Sequence, residues 1–288
     1  MQDFLGNTVT TASGQALRRL DEAVDLHARA WPSALEAAEE ATCEDPDLAI
    51  AHALQALIHA TWGRREAAGP AIQRALELAG RASERERSVI ELLHHVVRGR
   101  THAALAWLLA HVRRHPADML ALTPGMGAYG LFAFSGRADH NELRLALLDD
   151  LERHYPREHP WLLAYRGWTR IEGGAVDEGL AMALAAIKLQ PDNAHNAHII
   201  AHGFHEARRP VEYLDFIAQW MRGYPDDALM WGHLQWHAGL AELDLDQQDA
   251  ALRRCLGPIM SYLARGSPFM GLADAPTILW RLALRGER

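Results

Sequence analysis

Histidine is the residue type whose number and spacing in this chain point to chemistry. There are 17 in 288 residues, and six of them fall between positions 195 and 237. His198 and His202 stand four apart, and so do His233 and His237. On a helix that spacing puts both side chains on one face, with Cβ atoms about 5–6 Å apart. Pro191 and Pro225 serve as rulers. His198 and His202 follow the first by 7 and 11 residues; His233 and His237 follow the second by 8 and 12. The two pairs therefore sit at nearly equal heights on successive helices, and packed helices lie about 8–10 Å apart. Four imidazoles so placed can converge on one spot. His195 and His205 extend the first stripe in an i, i+3, i+7, i+10 pattern along the same face.

Imidazole supports two kinds of chemistry here. It is a common metal ligand, and two His at i, i+4 make half of a zinc site. It also exchanges a proton near neutral pH, which suits acid–base work on a small molecule. A divalent metal such as zinc fits the four residues but is not required by them. Neither pair is His-Glu-x-x-His: the chain reads His-Ile-Ile-Ala-His and His-Leu-Gln-Trp-His, so the glutamate base of that motif is missing. Histidines that merely pack and bond to neighbours or water are the plain alternative. Trp161, Tyr165 and Trp168 recur at helical spacing on the preceding helix, and Trp236 flanks the second pair. Aromatic rings beside polar groups make a ligand pocket; the same stripe also suits ordinary core.

The elements that must carry these residues are helices. Ala, Leu, Glu and Arg dominate, and alternating β-branched runs are absent. Asp45-Pro46-Asp47, Pro116-Ala117-Asp118, Pro191-Asp192 and Pro225-Asp226 recur as turns, with proline expected in a first helical turn and the acid as cap. Pro46 to Pro116 is 70 residues, Pro116 to Pro156 is 40, Pro156 to Pro191 is 35 and Pro191 to Pro225 is 34. A 34-residue helix–turn–helix period is that of the tetratricopeptide repeat. The clearest unit runs from Asp45 to Ala79, a second from Pro191 to Gly223 and a third from Pro225. The expected fold is all-α: a tetratricopeptide-repeat-like right-handed superhelix of stacked helical hairpins, the first helix of each hairpin lining the inner face. The expectation is one domain over 1–288, with capping helices in 1–44, repeats over 45–265 and a terminal helix over 266–288 packing back. Gly125-Met126-Gly127-Ala128-Tyr129-Gly130 has the form Gly-x-Gly-x-x-Gly but no βαβ context, so it reads as a close helix crossing rather than a dinucleotide site.

Composition narrows the function classes. Apolar residues make up 49% and charged residues 23%, which suits a globular chain and excludes disordered, collagenous and disulfide-scaffold classes. A net charge of −8 argues against a broad nucleic-acid face, which needs Lys and Arg to displace counterions. No run of about 18 apolar residues would span a membrane, and Met1–Leu20 lacks the apolar core of a leader. Two cysteines, Cys43 and Cys255, without metal-ligand spacing fit a reduced, cytoplasmic setting.

Three blocks carry a resemblance: Ala-His-Ile-Ile-Ala-His (197–202), Trp-Gly-His-Leu-Gln-Trp-His (231–237) and Asp-Ala-Pro-Thr-Ile-Leu-Trp-Arg-Leu-Ala-Leu-Arg-Gly (274–286). In order and spacing they resemble the tetratricopeptide-repeat protein 38 family, over about residues 115–286. The resemblance marks His198, His202, His233, His237, Asp274, Trp280 and Arg281, and implies a helical-repeat fold with no settled reaction. Where that family tends to carry Leu-Glu-Met after the first block, this chain has Gly203-Phe204-His205-Glu206. If the terminal helix packs back, Asp274 can orient an imidazole, as carboxylates behind metal ligands do, with Arg281 beside it; a helix cap and a surface ion pair serve equally.

Two functions fit. One is a small-molecule site lined by His and Trp, with hydrolase- or lyase-type catalysis by His198, His202, His233 and His237, Asp274 orienting. Trp161, Tyr165, Trp168, His195, His205, Trp236 and Arg281 then line the ligand. The other is a non-catalytic scaffold that binds a peptide or protein partner, by analogy of fold alone. A carboxylate-clamp groove wants Lys on inner helices, and the one lysine, Lys188, falls on an outer helix.

Overall fold

The computed structural model describes residues 1–265 and 271–286. Of the expected terminal segment 266–288, positions 266–270 and 287–288 lie outside the described residues. Among the described residues the regular structure is helical, apart from an isolated bridge between Gln2 and Thr8. No described helix is long and apolar enough to cross a membrane.

Helices pack into two compact units. One comprises Met1–Ala28 with Ser33–Leu162, the other Arg29–Pro32 with Leu163–Arg288. The first unit holds α1 (Gly14–Ala28), α2 (Ala34–Glu44), α3 (Ala49–Thr61), α4 (Arg65–Leu78), α5 (Glu84–Val97), α6 (Thr101–Val112), the single turn α7 (Met119–Leu122) and α8 (His140–Leu151). The second unit takes up most of α9 (Pro160–Glu172), then α10 (Val176–Leu189), α11 (Ala194–Glu206), α12 (Pro210–Trp220), α13 (Trp231–Asp244), α14 (Gln248–Arg254), the turn α15 (Met260–Leu263) and α16 (Asp274–Leu284). Successive helices pair as hairpins, and the first helices of neighbouring pairs also meet: α1 on α3, α3 on α5, α5 on α7, and α11 on α13. This is the stacking of helical hairpins that the 34-residue period implies. The Asp45–Ala79 unit is α3 with α4, and the unit from Pro191 is α11 with α12.

Small residues set how closely the hairpins stack. Helix α3 buries Ala49, Ala51, Ala53 and Ala56 alongside Ile50, Leu54 and Leu57. In α9 and α10 the approach is closer still. A Cβ on Gly179 would stand 2.5 Å from the Gly167 carbonyl oxygen, and one on Gly167 would stand 2.7 Å from that of Gly179. Only glycine fits both backbones at this crossing.

Two local expectations change. The recurrent prolines stand in turns ahead of the helices: α11 begins at Ala194, after Pro191. Its cap is Asn193, whose side chain accepts from the Asn196 N–H, and not Asp192. Asp118 does cap, accepting from Ala121 N–H at 3.3 Å. Proline inside the first turn occurs instead at Pro210. The Gly125–Gly130 run is no helix crossing. It is a loop after α7, with Gly127 at φ +78 and Gly130 folded onto the backbone of Gly125 and Met126.

The first unit buries a polar network. Arg85 donates from Nε and Nη2 to both Asp118 carboxylate oxygens at 2.5 and 2.8 Å. His111 bonds Asp118 through Nε2 at 3.0 Å and Ser88 Oγ through Nδ1 at 2.8 Å. The order Ser–His–Asp has the look of a catalytic relay. Its acid, however, is already neutralised by Arg85, and Trp107 Nε1 donates to the same Ser88 oxygen at 3.2 Å. It ties α5, α6 and α7 together. Burial alone would raise the Asp118 carboxyl, but the Arg85 charge and the bonds from His111 and Arg85 outweigh it and hold it far below the usual range.

A folded pKa below the unfolded one means that Asp118 stabilises the fold above about pH 4 and stops doing so as acid protonates it. Asp118→Asn takes from the buried Arg85 its bidentate partner and leaves it only the longer contact with Asp3, an expected loss of about 3–5 kcal/mol in urea unfolding at pH 7. The gap to wild type should narrow below about pH 4. Separately, Gly179→Ala should cost about 1–3 kcal/mol or more, because the obstructing atom is backbone; an unchanged melting temperature would contradict the close crossing.

Candidate functional site

The second unit brings the four histidines together. His198 and His202 come from α11, His233 and His237 from α13. His198 Nε2 lies 3.1 Å from His202 Nε2 and 3.1 Å from His233 Nε2. The His237 ring centroid is 4.8 Å from each of His198, His202 and His233. One ring nitrogen from each of His198, His202 and His237 falls within a span of 4.8 Å. His198, His233 and His237 are buried, while His202 is partly exposed.

The outer nitrogens are held by oxygen. His233 Nδ1 donates to both carboxylate oxygens of Asp274, at 3.1 and 3.2 Å. His237 Nδ1 meets the Tyr213 hydroxyl at 2.5 Å, and His202 Nδ1 faces Glu172 Oε1 at 3.6 Å. An imidazole anchored this way turns its other nitrogen inward with a fixed tautomer. His237 Nε2 is buried and makes no hydrogen bond to any protein group.

This creates a conflict among lone pairs. A ring nitrogen has one in-plane position, occupied either by a hydrogen or by a lone pair. His198 Nε2 faces two other ring nitrogens at hydrogen-bond distance and can satisfy one of them. A cation held by His198, His202 and His237 would take up the lone pairs of those three rings and leave that of His233 free to accept a proton. Nitrogens around a tetrahedral zinc, at about 2.0–2.1 Å from the metal, stand about 3.3 Å apart. The 3.1 Å between His198 and His202 is close to that, while the full span of the His198, His202 and His237 group is 4.8 Å. Burial first, then the charges of the neighbouring imidazoles, lowers His198 and His237 well below the ordinary imidazole range and His202 to about 3. The rings are therefore held neutral, as ligands must be.

Two indoles wall the cluster. Trp168 stacks on His198 at 5.8 Å and meets His202 edge-on at 4.7 Å. Trp236 stacks on His233 at 5.1 Å and donates from Nε1 to Thr277 Oγ1 at 2.7 Å, which ties α13 to α16. Cys255, in a π turn with Pro258 (Cys255–Ile259) after α14, is buried with its Sγ 3.7 Å from the Ala275 carbonyl. These contacts fix α16 so that Asp274, its first residue, reaches His233.

The other sequence-selected residues stand around this centre or away from it. Tyr165 packs on His195 at 6.3 Å, one turn before His198. Burial lowers His195 to about 4. His205 faces Asp244 at 3.4 Å beside the exposed edge. Trp161 is buried within the first unit. Arg281 is exposed and donates to the Thr277 carbonyl at 3.4 Å, away from the imidazoles. Sequence reasoning missed Tyr213 and Glu172. Tyr213 sits on a second helix of a hairpin, where no inward periodicity marks it. Glu172 carries a signal that was there to be used, four residues after Trp168 on the same face.

No protein-family model matches the chain. Among solved structures it is similar to the tetratricopeptide-repeat domain of P58(IPK), at 14% identity over 92% of this chain and 89% of that one, with a TM-score of 0.29. At that level the likeness speaks neither for the site nor for an activity.

An imidazole whose folded pKa lies below its unfolded value of about 6.5 stabilises the fold fully above that pH. As pH falls below it, the unfolded chain binds protons that the folded chain refuses, and stability drops. The urea midpoint of chelator-treated protein should therefore fall between pH 6.5 and 5, and fall less in His202→Gln. A flat midpoint over that window would contradict the buried, neutral cluster.

Proposed function

We propose that the second unit binds a divalent transition-metal ion on His198, His202 and His237, and that the ion serves hydrolase- or lyase-type chemistry on a small molecule. The observation that carries this is the convergence of buried ring nitrogens whose lone pairs cannot all be satisfied by hydrogen. Imidazole selects zinc, copper, iron or nickel over magnesium or calcium. Three protein ligands leave a fourth position for water or substrate, the arrangement of catalytic rather than structural zinc. Three neutral ligands also leave the ion's charge intact, which is what lowers the pKa of a bound water toward about 7. His233, oriented by Asp274, stands beside His198 as a proton acceptor, and Trp168 and Trp236 supply the apolar walls. The likeness of the 197–202, 231–237 and 274–286 blocks to the tetratricopeptide-repeat protein 38 family supports treating these residues as one set. The scaffold alternative rests on the helical-hairpin stack, which elsewhere presents binding surfaces along its inner face.

The test is metal content after chelation and reloading with zinc or cobalt. The expected result is about one ion per chain, a tetrahedral cobalt spectrum, and loss of both in His198→Ala with His237→Ala. The half-buried His202→Ala gives the same comparison in a chain less prone to misfold. Tyr213→Phe, behind the ligand His237, should weaken the metal about 10–100-fold while leaving the ligands in place, whereas Asp274→Asn, behind the non-ligating His233, should lower turnover and leave the metal bound. A folded wild-type protein that retains no metal at micromolar zinc would overturn the proposal. Bound metal without hydrolysis of activated esters or amides would leave the binding and remove the hydrolytic role.

A further inference from the structure

The segment ahead of α1 is held against the first unit as a bound peptide would be. From Asp3 onward its odd-numbered residues turn inward: Asp3, Leu5, Asn7, Val9 and Thr11 are buried or half-buried, while Met1, Gln2, Phe4, Gly6, Thr8 and Thr10 are exposed. Asp3 folds it into a tight turn, accepting from the Leu5 and Asn7 N–H groups at 3.0 and 2.8 Å, with Gly6 at φ +83. Recognition of alternate side chains together with main-chain polar groups is how extended peptides are read.

The receiving surface is the face shared by α1, α3, α5 and α7, the first helices of the hairpins. Beneath Asp3, Phe4 and Leu5 a small cavity is lined by Leu20 and Val24 of α1, Ile50 of α3, and Met119 and Leu120 of α7. Helix α5 supplies two of the polar contacts, Arg85 and Glu86. Arg85 reaches Asp3 Oδ2 at 3.6 Å and donates to the Thr8 carbonyl at 3.4 Å. Glu86 accepts from Thr10 N–H at 2.9 Å and from its hydroxyl at 2.5 Å. Asn7 donates to the Ala117 carbonyl at 3.3 Å, and Thr11 to Asp45 at 2.6 Å. Val9 is 1% exposed.

One feature of the fit is poor. Asp21 of α1 lies under the segment, and burial together with the charge of Asp3 raises its carboxyl to about 6. Two carboxylates thus share a groove with one guanidinium, which Asp118 already engages bidentately.

We infer that the inner face of the first unit is a peptide-binding groove that residues 1–12 occupy in cis. The partner is a peptide with an acidic residue at the start of a tight turn, then apolar, amide and apolar side chains at alternate positions. It competes with the chain's own segment for Arg85, Glu86 and the cavity. This site is independent of the imidazole cluster and stands or falls without it.

A protease site inserted after Ala12 in the full chain tests the inference, with a fluorescent peptide of residues 1–12, labelled at the exposed Gln2, as probe. The uncleaved chain should not bind the probe, because its groove is filled. The cleaved chain should exchange its segment for the probe saturably, and an Asp3→Ala probe should bind about tenfold more weakly. The substitution is placed in the peptide because Arg85→Ala would also break the buried pair with Asp118. A cleaved chain that stays folded and never exchanges its segment would overturn the inference, as would one that unfolds when the segment leaves. Equal binding of the Asp3→Ala probe would overturn it as well. Each of those outcomes makes residues 1–12 a fixed part of the fold, not a ligand.

Discussion

One imidazole nitrogen cannot satisfy two others. His198 Nε2 stands 3.1 Å from both His202 Nε2 and His233 Nε2, and around that constraint the second unit is built. Each histidine sits on a first helix, so the hairpins must stack in register for the rings to meet. The outer nitrogens of His233 and His237 are bonded to Asp274 and Tyr213, and that of His202 faces Glu172, three residues from three other helices. Burial keeps His198, His202 and His237 neutral. The fold thus sustains an arrangement of lone pairs that lacks hydrogens to quiet it. Such a buried, incompletely satisfied set is costly in an apolar setting.

The same helical frame handles buried polarity differently in the first unit. There Arg85, Asp118, His111 and Ser88 satisfy one another, with a guanidinium matching a carboxylate in bidentate fashion. Charges are paired and each polar atom of the relay has a partner, so the network fixes helices against one another. The contrast is between a cluster of like groups, all imidazoles, and a cluster of complementary groups that neutralise one another. Arg85 serves a second purpose as well, since its remaining nitrogen, Nη1, donates to the Thr8 carbonyl and Nη2 also faces Asp3. It thereby links the packed core of the first unit to the segment lying in its groove.

Much of the site was legible because helices are periodic. The i, i+4 pairs and the matched distances from Pro191 and Pro225 survive folding, since each pair stays on one face of one helix whatever its neighbours do. Trp168 and Trp236 were legible for the same reason. Legibility failed where a contact has no period. Tyr213 lies on a second helix and reaches His237 across 24 positions. Arg281 shares α16 with Asp274 but points to solvent, because seven residues along a helix keep a face only roughly and the packing of α16 uses Asp274, Ala275, Ile278 and Leu282.

The sequence by itself determined the helices, their pairing, and which histidines share a face, because those follow from composition and from a period of 3.6 residues within a period near 34. Only the tertiary structure decided which ring nitrogen faces inward, which acid stands behind each ring, and that residues 1–12 turn back onto α5. Those depend on contacts between residues far apart in the chain, such as Asp274 with His233 and Thr10 with Glu86. Such contacts are fixed by how helices cross and stack, and no spacing along a single chain records them.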